Sequence, residues 1–242
     1  MNETGQMHVI ARIHNDFPTK FGIPRQSGLV DELEARILFE PEFRDETSLR
    51  GLEGFSHLWL IWEISQSKGH GWSPTVRPPR LGGNQRLGVF ATRSPFRPNP
   101  IGLSCVRLTS IDLHTAQGPV LWVAGADLMD GTPIYDIKPY LPYSDCKPEA
   151  LGGFADRPRR NGLSVDIPEG LVGKIPERKR AALEGVLAQD PRPSYQKDPQ
   201  RIYGMTFAGL EIRFQVEGNR LTVCGVDPKE PDGTELLHGE RP

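Results

Sequence analysis

HLWLIWEI, residues 57–64, is the stretch that decides the class of fold, because it is short and nearly all apolar. Its length is ordinary for a strand and far below the roughly 20 residues that a membrane-spanning helix needs. A run that is apolar at consecutive positions, rather than at alternate ones, is typical of a strand that is covered on both faces. We therefore predict a buried strand here, with both faces inside the protein.

Further short apolar segments, separated by turn residues, lie on either side of this strand. This spacing is typical of a β-sandwich or β-barrel, and no strand–helix alternation of the doubly wound kind accompanies it. The 26 glycines and 23 prolines agree with a loop-rich, mainly β protein. The predicted strands are Val9–Ile13, Ala35–Phe39, Leu87–Ala91, Val106–Leu113 and Leu121–Leu128.

The pattern changes in the C-terminal part of the chain. Residues 148–162 are polar and rich in proline, glycine and arginine, which predicts a linker between a β-rich domain at 7–147 and a small α+β domain at 163–242. A helix is predicted over Pro176–Ala188, although Gly185 costs it about 1 kcal/mol relative to alanine. Strands follow at Tyr203–Val216 and Arg220–Val226, with a hairpin turn at Gly218-Asn219.

Composition argues against several classes of protein. The net charge is −2, so a wholesale polyanion binder is disfavoured, although basic residues cluster locally. Cys105, Cys146 and Cys224 are widely spaced and odd in number, which supports neither a disulfide framework nor a zinc site and fits a reducing cytoplasm. The histidines show no metal-ligand spacing, and no metal is expected. No dinucleotide-binding fingerprint, Walker loop or nucleophile elbow is present.

The segment ATRSPFRPNPIG, residues 91–102, places two arginines and an asparagine among three prolines. Each proline fixes its own φ and pushes the preceding residue out of the helical region, so the segment has little entropy left to lose on binding. In an extended segment Arg93, Arg97 and Asn99 would face one side. A stiff row of donors suits an anionic or polar ligand.

Two other polar segments are candidates for the same site. In DLMDGTPIYDIKPY, residues 127–140, an extended chain would place Asp136, Lys138 and Tyr140 on one face. The alternative is a surface Asp136–Lys138 contact, which contributes little to stability. The turn at residues 24–28, PRQSG, is the third candidate, and its alternative is a loop arginine in solvent.

Four long motifs carry a resemblance to a known family. They are RPPRLGGN (77–84), GVFATRSPFRPNPIG (88–102), DLMDGTPIYDIKPYLPY (127–143) and AQDPRPSY (188–195). Together they resemble the TsaA/TrmO family of tRNA (adenine(37)-N(6))-methyltransferases, and the resemblance covers nearly the whole chain. It implies a β-barrel S-adenosylmethionine-dependent methyltransferase domain with a small C-terminal domain, a cytoplasmic homodimer, no membrane segment, and methylation of threonylcarbamoyl-adenosine beside the tRNA anticodon.

The resemblance also assigns site residues. Where close relatives are expected to have His-Gln, this chain has Ser65-Gln66, so Ser65 is expected to contribute only its backbone. Arg192 is expected to be a stiff, exposed cation that approaches tRNA, together with Arg77 and Arg80. The implied cofactor contacts are Pro24, Arg25, Gln26, Ser65, Gln66, Arg93, Leu128, Asp130, Gly131, Thr132 and Pro133.

The residue types fit methyl transfer to a ureido-substituted adenine. We expect Asp136 or Tyr140 to remove or guide the proton of the acceptor nitrogen, with Lys138 tuning the base. Arg97 and Asn99 are expected to hold the carboxylate and carbonyl of the acceptor, which suits a guanidinium fork. Two alternatives stay open: a methyltransferase with another acceptor, and a non-catalytic barrel that binds RNA or a small ligand.

Overall fold

The computed structural model describes residues 5–67, 69, 71–156, 162–193 and 198–229. The helices are α1 (Pro142–Asp145), α2 (Glu169–Val172) and α3 (Glu177–Ala188). The strands, in chain order, are β1 (Ala11–His14), β2 (Glu34–Phe39), β3 (His57–Glu63), β4 (Thr75–Val76), β5 (Leu87–Gly88), β6 (Ile101–Asp112), β7 (Val120–Ala124), β8 (Pro133–Pro139), β9 (Ser164–Asp166), β10 (Tyr203–Phe207), β11 (Leu210–Glu217) and β12 (Arg220–Pro228).

Six strands close into a barrel in the order β1-β2-β7-β6-β3-β8, with antiparallel pairing throughout. Closure leaves no free strand edge, and alternate residues of each strand point inward. The interior is filled by fully buried aliphatic side chains, among them Ile13, Ile37, Leu58, Leu60, Leu121 and Ile134. The prediction of a mainly β protein is confirmed, and of the two architectures that the strand spacing allowed, the barrel is the correct one.

Strand β3 is buried on one face only, so the prediction that both of its faces are covered is wrong. Leu58 and Leu60 point into the barrel, whereas His57, Trp59 and Ile61 are half-buried on the outside. Only every second residue of a barrel strand can point into the interior, so the outward apolar residues have to be covered from outside the barrel. The indole of Trp59 is held by a 2.8 Å hydrogen bond from Nε1 to Asp145.

Two other predicted strands have different bounds in the structure. Residues 87–91 do not form a barrel strand, because only Leu87–Gly88 pairs, with β4, and Val89–Ala91 turns into a 3-10 helix. The strand predicted over Leu121–Leu128 ends at Ala124, where Gly125 adopts a positive φ of 77°. That turn releases Asp127 and Leu128 into a loop.

A second sheet, in the order β10-β11-β12-β9, forms the C-terminal unit with helix α3. The predicted helix and its apolar stripe are confirmed, and Gly218-Asn219 is the turn between β11 and β12. Strand β9, which pairs in parallel with β12, was not predicted from the sequence. Part of the predicted linker, residues 157–161, and residues 230–242 of the predicted C-terminal domain lie outside the described residues.

The core of the C-terminal unit includes residues from the connection between β1 and β2. Phe17 and Val30 are buried in this core, and the ring of Phe17 lies 5.3 Å from that of Phe207. Lys179 of α3 makes a 2.6 Å ion pair with Asp16, and both side chains are mostly buried. A Cβ on Gly185 would lie 2.7 Å from Val30, which explains a glycine in the middle of α3. The two units are therefore packed as one body around this connection.

Substitution of Gly22 by alanine tests this packing. Gly22 has a φ of 96°, and an added Cβ would lie 2.1 Å from the sulfur of the buried Met205. We expect the free energy of unfolding to fall by about 2–4 kcal/mol, because overpacking adds to backbone strain. Gly209→Ala is the matched control, since Gly209 also has a positive φ but open space around its Cβ position. Equal losses of stability in a urea titration would contradict the proposed packing.

Candidate functional site

The predicted turn at residues 24–28 lies against one end of the barrel. The amide of Gly28 donates to the carbonyl of Gly125 at 2.8 Å, just after β7. The hydroxyl of Ser27 accepts from the amide of Cys105 on β6 at 3.1 Å. Pro24 is buried, and Arg25 is exposed. The barrel thus fixes the backbone of this turn and leaves the Arg25 side chain accessible.

Arg93 joins this turn from the proline-rich segment 91–102. Its Nη1 donates to the side-chain oxygen of Gln26, although the two residues lie far apart in the sequence. Burial raises the pKa of the Asp127 carboxyl, and the guanidinium of Arg93 lies near enough to oppose that rise through its positive charge. Two separately predicted cofactor segments therefore meet, and a third one, beginning at Asp127, lies beside them.

Asp127 begins the polar segment 127–140 but was not among the predicted site residues. Its carboxylate accepts a 2.5 Å hydrogen bond from the hydroxyl of Ser104, which in turn accepts one from the indole of Trp62 at 2.9 Å. Burial raises the pKa of the Asp127 carboxyl, opposed by the bonds from Ser104 and the Ser27 amide and by Arg93. The sequence feature that could have identified Asp127 is its position between two apolar residues, directly after a buried strand.

The loop that follows Asp127 is fixed by the end of β1. The side-chain amide of Asn15 donates to the carbonyl of Leu128 at 2.7 Å, and its backbone amide donates to Asp130 at 3.0 Å. The side chain of Leu128 lies in the barrel core, so only its backbone can contact a ligand. Thr132 is buried and donates to the carbonyl of Met129 at 2.7 Å, and Pro133 begins β8. Gly131 has open space where a side chain would lie.

Ser65 and Gln66 follow directly after β3 in a 3-10 turn at the same end of the barrel. The side chain of Gln66 contacts the sulfur of Met129, with 3.3 Å between nitrogen and sulfur. The structure therefore brings the predicted cofactor residues into one cluster, which we call the cofactor cluster, except for the buried Thr132 and for Pro133, which begins β8. It consists of residues 24–28, 65–66, 93 and 127–131.

Asp136 and Lys138 lie on the outer face of β8, whereas the cofactor cluster lies at one end of the barrel. Their side chains pair at 2.8 Å, and Asp136 also accepts a hydrogen bond from the Ile137 amide at 2.9 Å. Both residues lie beside β3, with Asp136 paired to Ile61 and Lys138 to Trp59. The ring of Tyr140 packs against that of Trp59 on the same outer face, with 5.8 Å between ring centres, so the predicted shared face is confirmed for all three residues.

Tyr140 lies at the far end of the barrel from the cofactor cluster. Its amide donates to the carbonyl of His57, the first residue of β3, whereas Ser65 follows the last residue of that strand. At the rise of an extended chain this separates the two by about 25 Å. Desolvation raises the pKa of the Tyr140 phenol, and Cys146, Cys105 and Asp145 raise it further. The phenol therefore stays protonated at neutral pH and can donate a proton but not accept one.

Arg97 contributes to the rigidity of its own loop. Its Nη1 donates to the carbonyls of Thr92 and Val89, at 2.6 and 3.3 Å, and its guanidinium lies 5.7 Å from the ring centre of Phe90. The Nε and Nη2 edge of the fork has no partner among the described residues. Asn99 is exposed. This edge and the Asn99 amide are available to a ligand.

Arg192 does not have the exposure expected of it. The side chain is only 12% exposed and forms two hydrogen bonds to Asp190, at 2.7 and 3.0 Å. The positive φ of Asp190, 54°, turns the chain so that the two side chains meet. The prediction of a free cation is therefore wrong. Arg77 is exposed in the β4–β5 hairpin, whereas the side chain of Arg80 and residues 194–195 of the fourth motif lie outside the described residues.

The described residues offer neither a metal site nor a membrane-spanning helix. Within the described ranges no three histidine, cysteine or acidic side chains are grouped as metal ligands. No described helix has the length and apolar character required to cross a membrane. The three cysteines are free thiols.

Comparisons with known proteins cover both parts of the chain. The tRNA-methyltransferase O N-terminal domain family matches residues 12–146, and the TrmO C-terminal domain family matches residues 169–229. A tRNA (adenine(37)-N6)-methyltransferase of Escherichia coli is 37% identical over 93% of this chain and 98% of its own. A putative S-adenosylmethionine-dependent methyltransferase of Pseudomonas aeruginosa is 42% identical over 87% of this chain and 92% of its own. The crystal structure of TrmO from Pseudomonas aeruginosa superposes with a TM-score of 0.76 at 34% identity, covering 93% of this chain and 99% of that one.

The raised pKa of Asp127 predicts a pH-dependent effect of Asp127→Asn. Folding favours the protonated carboxyl, so the contribution of Asp127 to stability falls as pH rises through its raised folded pKa. As pH rises from 4 to 7, we therefore expect the free energy of unfolding of Asp127→Asn, measured by chemical denaturation, to increase relative to that of the wild type. Asp145, whose pKa is lowered by bonds from Leu141 and Trp59, is the control with the opposite sign. Identical pH profiles for the two asparagine variants would contradict this assignment.

Proposed function

This chain belongs to the tRNA-methyltransferase O family, and we propose that it transfers the methyl group of S-adenosylmethionine to N6 of adenine 37 in tRNA. The E. coli relative that bears this activity in its name aligns over nearly the whole of both chains. The observation that carries the proposal is the cofactor cluster, in which Arg93 and Gln26 meet beside Asp127. The cluster retains polar groups that a purely structural barrel has no need to hold together.

The chemistry of the cluster fits S-adenosylmethionine. Arg25 and Arg93 are exposed cations that would pair with the carboxylate of its methionine part. Asp127 would lie opposite the positive charge of the sulfonium, and the backbone around the open Gly131 position would approach the ligand closely. Bound there, the group supplies an electrophilic methyl. Most of the acceleration can then come from positioning of the acceptor nitrogen.

We further propose that the acceptor is threonylcarbamoyl-adenosine. The free Nε and Nη2 edge of Arg97 suits a carboxylate, and the threonyl group carries one that plain adenosine lacks. Asn99, two residues along the same stiff segment, would hold the adjacent carbonyl. In this arrangement the bonds from Arg97 to Thr92 and Val89 fix the fork in place before the ligand arrives.

Asp136 is the proposed proton acceptor. The ureido proton of the acceptor is more acidic than that of an adenine amine, so a carboxylate suffices as the base. Lys138, 2.8 Å from Asp136, orients that carboxylate, and Tyr140, which stays protonated, would donate a hydrogen bond to the acceptor base. These groups lie on the outside of the barrel, whereas the cofactor cluster of the same chain lies at one end of it.

A homodimer would resolve this separation, and we propose that one forms across the outer face of β3 and β6. Ile101 and Leu103 are 38% and 51% exposed there, beside the half-buried Trp59 and Ile61. An exposed apolar face of this kind marks an interaction surface. In a twofold dimer each copy gives its face to the other, so Asp136 of one copy can serve the cofactor cluster of the second.

Mass spectrometry of nucleosides tests the function. The protein is incubated with methyl-labelled S-adenosylmethionine and with tRNA that carries, or lacks, the threonylcarbamoyl group at position 37. We expect label on the modified adenosine and little on the unmodified one. Arg97→Ala should slow transfer to modified tRNA by about 10- to 150-fold, the cost of losing a bond to a charged group, and change the slow background on unmodified tRNA far less.

The same measurement separates the alternatives. Label on a different nucleoside would indicate another acceptor, and no label on any tRNA would favour a non-catalytic binding protein. An equal effect of Arg97→Ala on both forms of tRNA would show that Arg97 only braces its loop.

Leu103→Asp tests the dimer. A buried charge at the interface should give a monomer in analytical ultracentrifugation, with binding of S-adenosylmethionine retained and methyl transfer lost. Leu151→Asp is the control, because Leu151 is 94% exposed in the loop after α1 and belongs to neither β3 nor β6.

Mixing inactive variants tests whether the site is shared. Arg93→Ala and Asp136→Ala, each inactive alone, should together restore up to about a quarter of the wild-type rate, since half of the dimers are mixed and each has one intact site. A wild-type monomer, or no restoration on mixing, would contradict the shared site.

A further inference from the structure

The segment between Glu63 and Asp112 has an unusual charge distribution. It contains no acidic residue and seven lysines or arginines, in a chain whose net charge is −2. This segment includes the β4–β5 hairpin and the proline-rich loop of the proposed site. A local basic surface on a chain that is acidic overall is the electrostatic footprint of a nucleic-acid contact.

The same segment exposes three large aromatic side chains. Trp72, Phe90 and Phe96 are 54%, 73% and 46% exposed. The backbone brings them together, because the amide of Ser73 donates to the carbonyl of Phe96 at 3.3 Å and the amide of Val89 donates to that of Pro74 at 3.0 Å. We call Trp72, Phe90 and Phe96 the aromatic platform.

Cations border the aromatic platform. The guanidinium of Arg97 lies over the ring of Phe90, and Arg86 is held on the hairpin by a 2.8 Å hydrogen bond to Thr75. Arg77 is exposed on the same hairpin. Aromatic faces beside a basic surface are the arrangement with which proteins bind unpaired nucleotides, the rings stacking on bases and the cations contacting phosphates.

We propose that the aromatic platform stacks unpaired bases of the tRNA anticodon loop that flank the methylated adenosine, with Arg77 and Arg86 contacting their phosphates. The proposal rests on the proposed function, which places this loop at the neighbouring site. Stacking here would hold the loop open and present position 37 to Arg97 and Asn99.

A second copy of the chain is a poorer occupant of this surface. In a twofold interface centred on the aromatic platform, the cations of one copy would face the same cations of the other, with no acidic residue of the segment to compensate them. A polyanion has the complementary charge. The apolar face around Leu103 lacks this concentration of arginine and suits self-association better.

Equilibrium binding of an unmodified tRNA transcript, at a series of salt concentrations, tests the proposal. Trp72→Ala and Phe96→Ala should each weaken binding by about 5- to 150-fold without changing the salt dependence. Arg77→Ala should weaken binding and lower the slope of log K against log salt by about 1. Trp72→Phe, which keeps an aromatic ring, should bind nearly as wild type. Trp122→Ala is the matched control, because Trp122 is 39% exposed on β7 of the barrel.

Two further measurements distinguish a loss of tRNA binding from a loss of cofactor binding or of the dimer. Calorimetry with S-adenosylmethionine and ultracentrifugation should give wild-type results for Trp72→Ala and Phe96→Ala. Conversion of these variants to monomers would assign the surface to a second copy and overturn the proposal, as would unchanged tRNA binding. If the wild-type protein methylated no tRNA while the platform variants still lost RNA binding, the proposed function would fail and the platform would stand.

Discussion

The hydrogen bonds of Asn15 hold together the parts of the protein that matter for its activity. Its side-chain amide fixes the carbonyl of Leu128, its backbone amide fixes Asp130, and its side-chain oxygen accepts from the amide of Phe17 at 2.9 Å. One residue at the end of β1 therefore fixes the loop of the cofactor cluster and starts the chain towards the C-terminal core. Both the nitrogen and the oxygen of the Asn15 side-chain amide form hydrogen bonds, so a shorter or apolar residue would leave partly buried backbone groups of Leu128 and Phe17 unpaired.

This arrangement makes the C-terminal unit part of the support for the cofactor cluster. The connection from Phe17 to Val30 enters the C-terminal core at both ends, and its middle carries Arg25 and Gln26. Helix α3 and its ion pair with Asp16 thus limit the freedom of the turn that meets Arg93. The barrel itself is closed and filled with side chains, which leaves its ends and outer face for chemistry. The separation of Tyr140 from the cofactor cluster follows from that closure.

Much of the fold was predictable from local patterns. Alternation in β1 and β2, the apolar stripe of α3 and the Gly218-Asn219 turn reflect forces that act between near neighbours in sequence, so a single sequence reveals them. The outer face of β3 was not predictable, because apolar residues there look the same whether the barrel or a second protein covers them. Strand β9 was missed since three residues, 164–166, pair with a strand more than fifty positions away.

The residues of the candidate site likewise fall into those that local sequence could identify and those that only tertiary contacts define. The arginines of the proline-rich segment could be found from the stiffness of the chain, and the motifs of the family supplied the remaining cofactor contacts. What Arg192 contacts depends on a positive φ at Asp190, and what Asp127 contacts depends on Ser104 and Trp62 from other strands. Such tertiary contacts leave no periodic pattern in the sequence.

That three separate segments form one cofactor site can be tested by hydrogen-exchange mass spectrometry with and without S-adenosylmethionine. We expect residues 24–28, 91–96 and 127–131 to become protected together, and protection confined to the C-terminal sheet, or to one of these segments alone, would contradict a single shared cofactor site.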